Sequence, residues 1–270
     1  MGASIMSREL AWAFLLLAAL IISAGIGSYL RTRLPAPHRS GETIDFLRIV
    51  TALLVTFAAL VMSLLLASVR GSYDTAYRDR AHYAANLAEL DQCMRNYGPE
   101  LAATRAKLRR YTAAVIASTW PEETPPKGIA LPDTKGIPRL GEAPSLAALM
   151  NGIGLDIAAL DPPDARRKEI VARCREDFAD VMTARWTVIE DVHGSLSTPF
   201  AAVLTFWLML VFLSFGLQAP RNLLAALVIA IAIVSVTSVM FVIVDLDFPY
   251  GGLFGVSSHS MRLALADMLR

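Results

Sequence analysis

The sequence is poor in the residues that most often build metal centres. Among 270 residues there are only two cysteines and four histidines: Cys93, Cys174, His38, His82, His193 and His259. The cysteines form no CxxC pair and the histidines share no spacing, so the usual zinc and metalloprotease patterns are absent. Serine-nucleophile (GxSxG) and Walker motifs are missing too. We therefore predict no metal site, no cofactor and no catalytic residue, and the chain is not expected to be an enzyme.

The two cysteines lie in stretches with the apolar spacing of helices. An unpaired cysteine behaves as a small hydrophobic side chain, and this is the interpretation that the sequence favours. A single disulfide is the alternative, if the segment between them lies in the periplasm.

Excess charge of one sign is also lacking, because the formal net charge is only +1. A nucleic-acid partner needs a broad basic face, which a balanced chain does not supply. No nucleic-acid partner is predicted.

Long apolar runs are what the sequence has in abundance, since 55% of its residues are hydrophobic. A helix needs about 20 apolar residues to cross a bilayer. Four runs qualify: Leu10 to Leu30, Ile49 to Val69, Pro199 to Leu217, and Leu223 to Val244. The first could instead be a signal peptide, but it is longer than the usual apolar core of such a peptide.

None of these four runs contains Asp, Glu, Lys, Arg or His. Proton relays and coupled carriers usually place an ionisable side chain at membrane depth, so a proton-coupled carrier is disfavoured. A permeation path would have to be lined by apolar side chains, hydroxyls or backbone, and apolar constrictions that gate by dewetting are known. Inert, lipid-facing spans are the alternative.

The region between the second and third runs has helical periodicity. Its first helix continues the second span through Gly71, with an apolar stripe of Tyr83, Leu87, Leu90, Met94 and Tyr97 and an i,i+4 pair of Asp91 with Arg95. Gly98 is expected to end this helix in a left-handed conformation. A second helix should reach about Thr119, a third should run from a Ser145 cap to about Leu160, and a fourth from about Asp164 to His193, before a break at 194–199.

The predicted fold is all-α, with four transmembrane helices and a helical extramembrane stalk domain inserted between the second and third spans. Residues 1–69 hold the first two spans, 70–196 the helical domain with a proline-rich loop at 120–144, 197–246 the third and fourth spans, and 247–270 a C-terminal tail.

Two segments at the ends of spans carry polar side chains. Arg221 and Asn222 lie in a short turn between the third and fourth spans, which places them at the membrane surface. Asp245 and Asp247 end the fourth span, and in a symmetric oligomer they would form acidic rings that attract cations. The alternative is that both carboxylates stop the helix and bond to nearby backbone or arginine.

An ordered series of short motifs resembles the bestrophin-like domain family of bacterial membrane proteins, from about Asp45 to Met268. The motifs are 67–74 (ASVRGSYD), 90–91 (LD), 97–100 (YGPE), Arg105, 108–110 (LRR), 120–121 (WP), 185–186 (RW), 199–200 (PF), 206–207 (FW), 214–217 (SFGL), 219–222 (APRN), 245–249 (DLDFP), 252–253 (GL) and 256–258 (VSS). The chain departs from the family pattern at Phe248, where Arg or Gln is usual, which weakens a salt-bridge role there.

Bestrophins are pentameric anion channels, gated by calcium in animals, but no bestrophin calcium clasp occurs in this sequence. The resemblance implies a homo-oligomer, a pentamer by analogy, with the second span near the symmetry axis. Leu54, Phe57, Val61 and Leu64 would then be the candidate constriction. The alternative is that this stripe packs against neighbouring helices.

The sequence thus predicts an oligomeric membrane protein, with an ion channel as the leading function and ions and the lipid bilayer as its partners. A non-conducting scaffold or sensor that binds a partner through its helical domain is the alternative. A multi-pass protein of the bacterial inner membrane is expected. An even number of spans puts both termini and the helical domain on one side of the membrane. The arginines near the spans occur on both sides, so the positive-inside rule does not decide the orientation. The resemblance favours the cytoplasm.

Overall fold

The computed structural model describes residues 2–35, 41–131, 143–191, 198–250 and 253–270. Within these ranges every regular element is helical. The α-helices are α1 (Gly2–Arg33), α2 (Gly41–Tyr97), α3 (Ala102–Thr119), α4 (Pro144–Ala158), α5 (Ala165–Glu190), α6 (Thr198–Gln218), α7 (Leu223–Leu246) and α8 (His259–Met268). The expected all-α class is confirmed.

Four helices are long and apolar enough to cross a membrane, namely α1, α2, α6 and α7. The four predicted spans are therefore found as helices. α2 is a single helix of 57 residues that passes through Gly71 without a break, as the weak helix-breaking effect of one glycine suggested.

The chain divides into two compact units. The first comprises Ala3–Ser72 and Gly194–Phe254, and the second comprises Tyr73–His193 and Gly255–Arg270. The first unit thus contains the four apolar spans, and the second contains most of the charged sequence. Four of the six residues of the predicted break at 194–199 lie outside the described residues (194–197), and α6 already begins at Thr198. The centre of the proline-rich loop (132–142), His38 and His193 also lie outside the described residues.

In the first unit, α1 and α6 approach closely because small residues face each other. A side chain at Gly27 would collide with the backbone of Leu213, and one at Gly216 with the backbone of Ala24. The Ser23 hydroxyl donates a hydrogen bond to the carbonyl of Met209. Such small-residue contacts are a common way for helices to associate in a membrane, where hydrophobic burial gives little driving force.

The second unit has a core of stripes from α2, α3, α4, α5 and α8. All five apolar residues predicted for α2 are buried, as are Leu108, Tyr111 and Ile116 of α3. α3 packs against both α4 and α8, and α4 packs against α5. The helical stripe predicted from spacing is confirmed for the part of α2 in this unit.

Helix ends follow the local sequence. Gly98 ends the long helix with a φ of 133°, a value that side chains disfavour, and a short 3-10 turn at Pro99–Leu101 precedes α3. Asp164 accepts a hydrogen bond from the backbone of Arg167 and caps α5. The predicted Ser145 cap is wrong: α4 begins at Pro144, with Ala143 as its cap. Proline suits the first helical position because its φ is already helical and it has no N–H to satisfy.

The interpretation of Cys93 and Cys174 as unpaired core thiols, which the sequence favoured, is wrong. Cys93 of α2 and Cys174 of α5 form a disulfide, with their Cα atoms 5.6 Å apart and a sequence separation of 81. Cys174 is fully buried and Cys93 is 5% exposed. The bond therefore links two core helices of the second unit.

The C-terminal segment is more ordered than the predicted tail. α8 buries Met261, Ala264, Leu265 and Met268, a spacing of three and four that is typical of an amphipathic helix. This short stripe was not predicted. The apolar spacing of α8 is visible in the sequence, but it extends over only two helical turns.

Candidate functional site

The α2 stripe proposed as a constriction lies on a sparsely covered helix. Phe57 is 49% exposed and Leu64 71% exposed, while Leu54 and Val61 are partly exposed. In the most apolar window of α2 only 11% of residues are buried, against 22% in α1, 33% in α6 and 22% in α7. Within this chain, the second span has the fewest neighbours of the four.

Most of the surface of α2 in the first unit is exposed, and only a narrow stripe that contains Thr51, Ala58 and Val69 is buried. On an ideal helix, successive residues are 100° apart, so Leu66 lies almost opposite the stripe that contains Phe57. Leu66 is 37% exposed and Val55, on the same side as Leu66, is also 37% exposed. Apolar side chains thus face outward on both sides, and in a membrane they must meet lipid or another protein chain.

Hydrogen bonds join the spans near the turn between α6 and α7. The Arg31 guanidinium donates to the carbonyls of Gln218 and Ala219, which end α6. The Gln218 side-chain amide donates to the hydroxyl of Thr51 at 2.8 Å, and Thr51 is 3% exposed. A cation at the carbonyl end of a helix is favourable, because the last carbonyls lack helical partners. This polar cluster (Arg31, Thr51 and Gln218) ties α1, α2 and α6 together and was not predicted.

Both residues of the predicted surface turn are exposed, and one of them caps a helix. The Asn222 side chain accepts a hydrogen bond from the Ala225 backbone and caps α7. The Arg221 side chain is exposed. Asn222 therefore orders the start of the fourth span, while Arg221 carries a charge at the surface of the first unit.

The two aspartates that end the fourth span are buried. Asp245 is 1% exposed and accepts backbone hydrogen bonds from Leu253 at 2.8 Å and Phe254 at 3.0 Å. Asp247 is 6% exposed. The contacts of Asp245 are of the local kind that the alternative interpretation describes, since its carboxylate holds the backbone that follows the helix.

The second unit is built around a buried carboxylate. Asp91, fully buried on α2, accepts two hydrogen bonds of 2.9 Å from Arg105 of α3 and one of 3.0 Å from Arg95. Arg95 also donates to the carbonyl of Asp267 in α8. The predicted pair of Asp91 with Arg95 is confirmed, and Arg105 adds the bidentate geometry that makes such pairs strong.

A second buried polar cluster joins α2, α3 and α5. The hydroxyls of Tyr83 and Tyr111 are 2.6 Å apart, and the Arg185 guanidinium donates to the Tyr111 hydroxyl at 3.2 Å. Nearby, the Arg80 guanidinium lies over the ring of Trp120, whose indole N–H donates to the carbonyl of Val256. These contacts fix the second unit as one packed body and were not predicted from spacing.

The C-terminal segment is held by a charged cluster as well. The Arg262 guanidinium donates to the Glu123 carboxylate at 2.9 Å, and the Ser258 hydroxyl donates to the same oxygen. Partial burial acts to raise the pKa of Glu123, but these hydrogen bonds outweigh it and the pKa is lowered. Glu123 therefore stays ionised and anchors the start of α8.

Potential metal ligands do not converge. In the described ranges, no group of three or more His, Cys, Asp or Glu side chains is arranged to hold a metal ion. The groove between α2 and α5 is lined by several polar side chains, among them Asp79, His82, Glu89 and Asp180, but these do not form such a group.

Comparisons with known proteins address the family of the chain. The model of the Bestrophin-like domain matches residues 16–261. The fold is similar to a crystal structure of a membrane protein, with a TM-score of 0.64 and 14% identity over 97% of each chain. It is also similar to a bacterial bestrophin homologue from Klebsiella pneumoniae carrying a point mutation, with a TM-score of 0.52 and 16% identity over 97% of this chain and all of that one. No curated protein matches the sequence.

Proposed function

Because the chain belongs to the bestrophin-like family, we propose that it is a homo-oligomeric ion channel of the bacterial inner membrane whose second span lines the pore. The observation that carries the proposal is the sparse burial of α2 inside its own chain. A pentamer is the arrangement that the family resemblance favours. The four apolar helices and the similarity to a bacterial bestrophin homologue support a multi-pass membrane protein.

Packing explains why an uncovered α2 favours an oligomer. A span at the edge of a monomer buries a broad side against its own neighbours. α2 instead buries only the narrow stripe of Thr51, Ala58 and Val69 and exposes apolar residues on opposite sides. If copies surround an axis, one side of α2 faces the pore and the other contacts the adjacent copy. Close packing between copies would then replace the missing contacts within the chain.

The pore would be apolar at its narrowest point. Leu54, Phe57, Val61 and Leu64 lie within one face of α2, and a ring of such side chains can exclude water and so block ions. Asp245 and Asp247 are buried within the single chain, so they would form acidic rings at a pore entrance only if the oligomer exposes their carboxylates. Arg221 and Asn222 would lie at the membrane surface. We propose no catalytic role for any of these residues.

Single-channel recording of the purified full-length protein in planar bilayers tests the proposal. We expect conductance, and we expect Phe57→Ala to increase the open probability because the smaller side chain weakens the apolar barrier. Leu66→Ala is the matched control on the opposite face of the same helix, and it should leave the open probability unchanged.

Two outcomes would contradict the channel. One is the absence of conductance in several salts and voltages for both the natural protein and Phe57→Ala. The other is a stable monomer in lipid with a reproducible soluble partner on crosslinking, which would favour a scaffold or sensor.

A further inference from the structure

We infer that the segment between the second and third spans lies on the non-cytoplasmic side of the membrane, where Cys93 and Cys174 are joined by a disulfide. The inference does not rest on conduction, since a scaffold or a channel could have this orientation. It differs from the cytoplasmic location that the family resemblance favours.

The evidence for this orientation is the bond between the only two cysteines of the chain. They join α2 to α5 within the core of the second unit, where neither sulfur is open to solvent. Glutathione and thioredoxin keep cytosolic thiols reduced, and a structural disulfide normally marks a compartment outside the cytoplasm. The position of this bond, between two long core helices, is that of a structural crosslink.

The charge of the segments next to the spans is compatible with this orientation and does not decide it. With each of the four spans crossing the bilayer once, the α1–α2 loop and the α6–α7 turn lie on the side opposite the second unit's sequence. These two short connections and their flanks carry Arg31, Arg33, Arg39, Arg48 and Arg221. The positive-inside rule is counted over short loops and within about 15–20 residues of the ends of the spans, whereas long domains cross largely regardless of charge.

Counted in this way, the charges of the two sides are nearly balanced. The long segment between α2 and α6 carries Arg70, Arg78, Arg80 and Arg185 within about 15 residues of a span, and Arg8 and Arg262 lie on the same side. The orientation is therefore assigned from the disulfide, and the charges beside the spans do not oppose it.

Formation of the bond requires an oxidant. The two thiols lose two protons and two electrons as the S–S bond forms, and the disulfide of a thiol-oxidising protein outside the cytoplasm accepts them and becomes a dithiol. The exchange passes through a mixed disulfide between one cysteine of this chain and the oxidising protein. Because the folded core buries both sulfurs, the exchange must precede final packing of α5 on α2.

Cysteine accessibility in spheroplasts tests the orientation. Ala165 and Gly41 are matched positions, because each is the first residue of its helix and each is exposed. Ala165→Cys and Gly41→Cys are made separately in the otherwise natural full-length chain and exposed to a membrane-impermeant maleimide. We expect Ala165→Cys to be labelled in intact spheroplasts and Gly41→Cys to be labelled only after lysis. The reverse pattern would overturn the inference.

The state of the native pair is measured in the natural protein. Cells are quenched with acid, denatured and treated with a mass-tagged maleimide, with and without prior reduction. We expect no tag without reduction and two tags after it. Two tags without reduction would overturn the inference, and the Cys93→Ser variant, expected to carry one tag without reduction, controls for access of the reagent.

Discussion

The two units of this chain are stabilised by different means, although α2 contributes to both. In the first unit the spans lack ionisable side chains, and α1 and α6 meet through Gly27 and Gly216. In the second unit a buried aspartate, a tyrosine pair and a disulfide join the helices. The difference follows from the solvent around each unit. In lipid, contact between apolar side chains gives little net free energy, so helices associate where their backbones can approach closely. In water, an apolar core can contain charged side chains when these are paired.

The largest expected effect is loss of the carboxylate at the centre of the second unit. Asp91→Ala leaves the Arg105 and Arg95 guanidinium groups without their buried partner, and removal of one member of a buried pair costs about 3–5 kcal/mol. Thermal unfolding in detergent should show a large fall in Tm. Asp45→Ala is the control, since Asp45 pairs with Arg48 on the surface and such pairs contribute about 0–1 kcal/mol. Equal Tm values for the two variants would mean that Asp91 does not organise the unit.

The disulfide is expected to rank next. It closes a loop between residues 81 apart, and a native disulfide typically contributes about 2–4 kcal/mol by restricting the unfolded chain. The Cys93→Ser/Cys174→Ser variant should unfold at a lower temperature in detergent than the natural protein. Dithiothreitol should lower the Tm of the natural protein but leave that of the double variant unchanged. A reductant effect of equal size in both would contradict a role for the bond.

Close packing in the first unit predicts a smaller effect that depends on position. Gly27→Ala places a methyl group against the Leu213 backbone, and overpacking of this kind costs about 1–3 kcal/mol. Gly25→Ala, on the same helix, meets no atom within 4 Å and serves as the control. The Tm in detergent should fall for Gly27→Ala only. If both substitutions were tolerated, α1 and α6 would not approach as closely as described.

The smallest expected effect is a pH dependence at the end of α5. Burial, reinforced by the Asp79 carboxylate, raises the pKa of Asp191 to about 6, and Arg80 acts in the opposite direction. The folded protein thus holds this proton more tightly than the unfolded chain, so Asp191 stabilises the protein at acidic pH. That contribution is lost as pH rises from about 4 to about 6. Because Asp191 is partly exposed, we expect on the order of 1 kcal/mol or less.

Asp191→Asn isolates this contribution. Unfolding of the variant should be less sensitive to pH between 4 and 6 than that of the natural protein, and its stability at pH 7 should be equal or higher. A steeper dependence in the variant would show that Asp191 is not the group responsible.

The sequence predicted the elements whose signal is local. Four uncharged runs predicted the spans, and the stripe from Tyr83 to Tyr97 predicted the continuation of α2, because burial repeats with the period of the helix. The pair of Asp91 with Arg95 was predictable for the same reason, since residues four apart on a helix are neighbours.

Contacts between distant positions could not be predicted in this way. Arg105 reaches Asp91 only because the chain turns at Gly98, and Cys93 meets Cys174 only after α5 packs against α2. Spacing along the sequence contains no direct signal for either. The candidate constriction, the acidic rings and the pentamer concern contacts between copies of the chain, and they remain predictions.

Cysteine crosslinking along α2 tests the central claim most directly. With the native cysteines joined, Phe57→Cys and Leu66→Cys each supply one free thiol in the full-length protein in membranes. If the Phe57 face surrounds a symmetry axis, mild oxidation should give an intermolecular dimer for Phe57→Cys that is absent or much weaker for Leu66→Cys. No crosslink at Phe57, together with a monomeric mass in lipid, would contradict a pore lined by the second span.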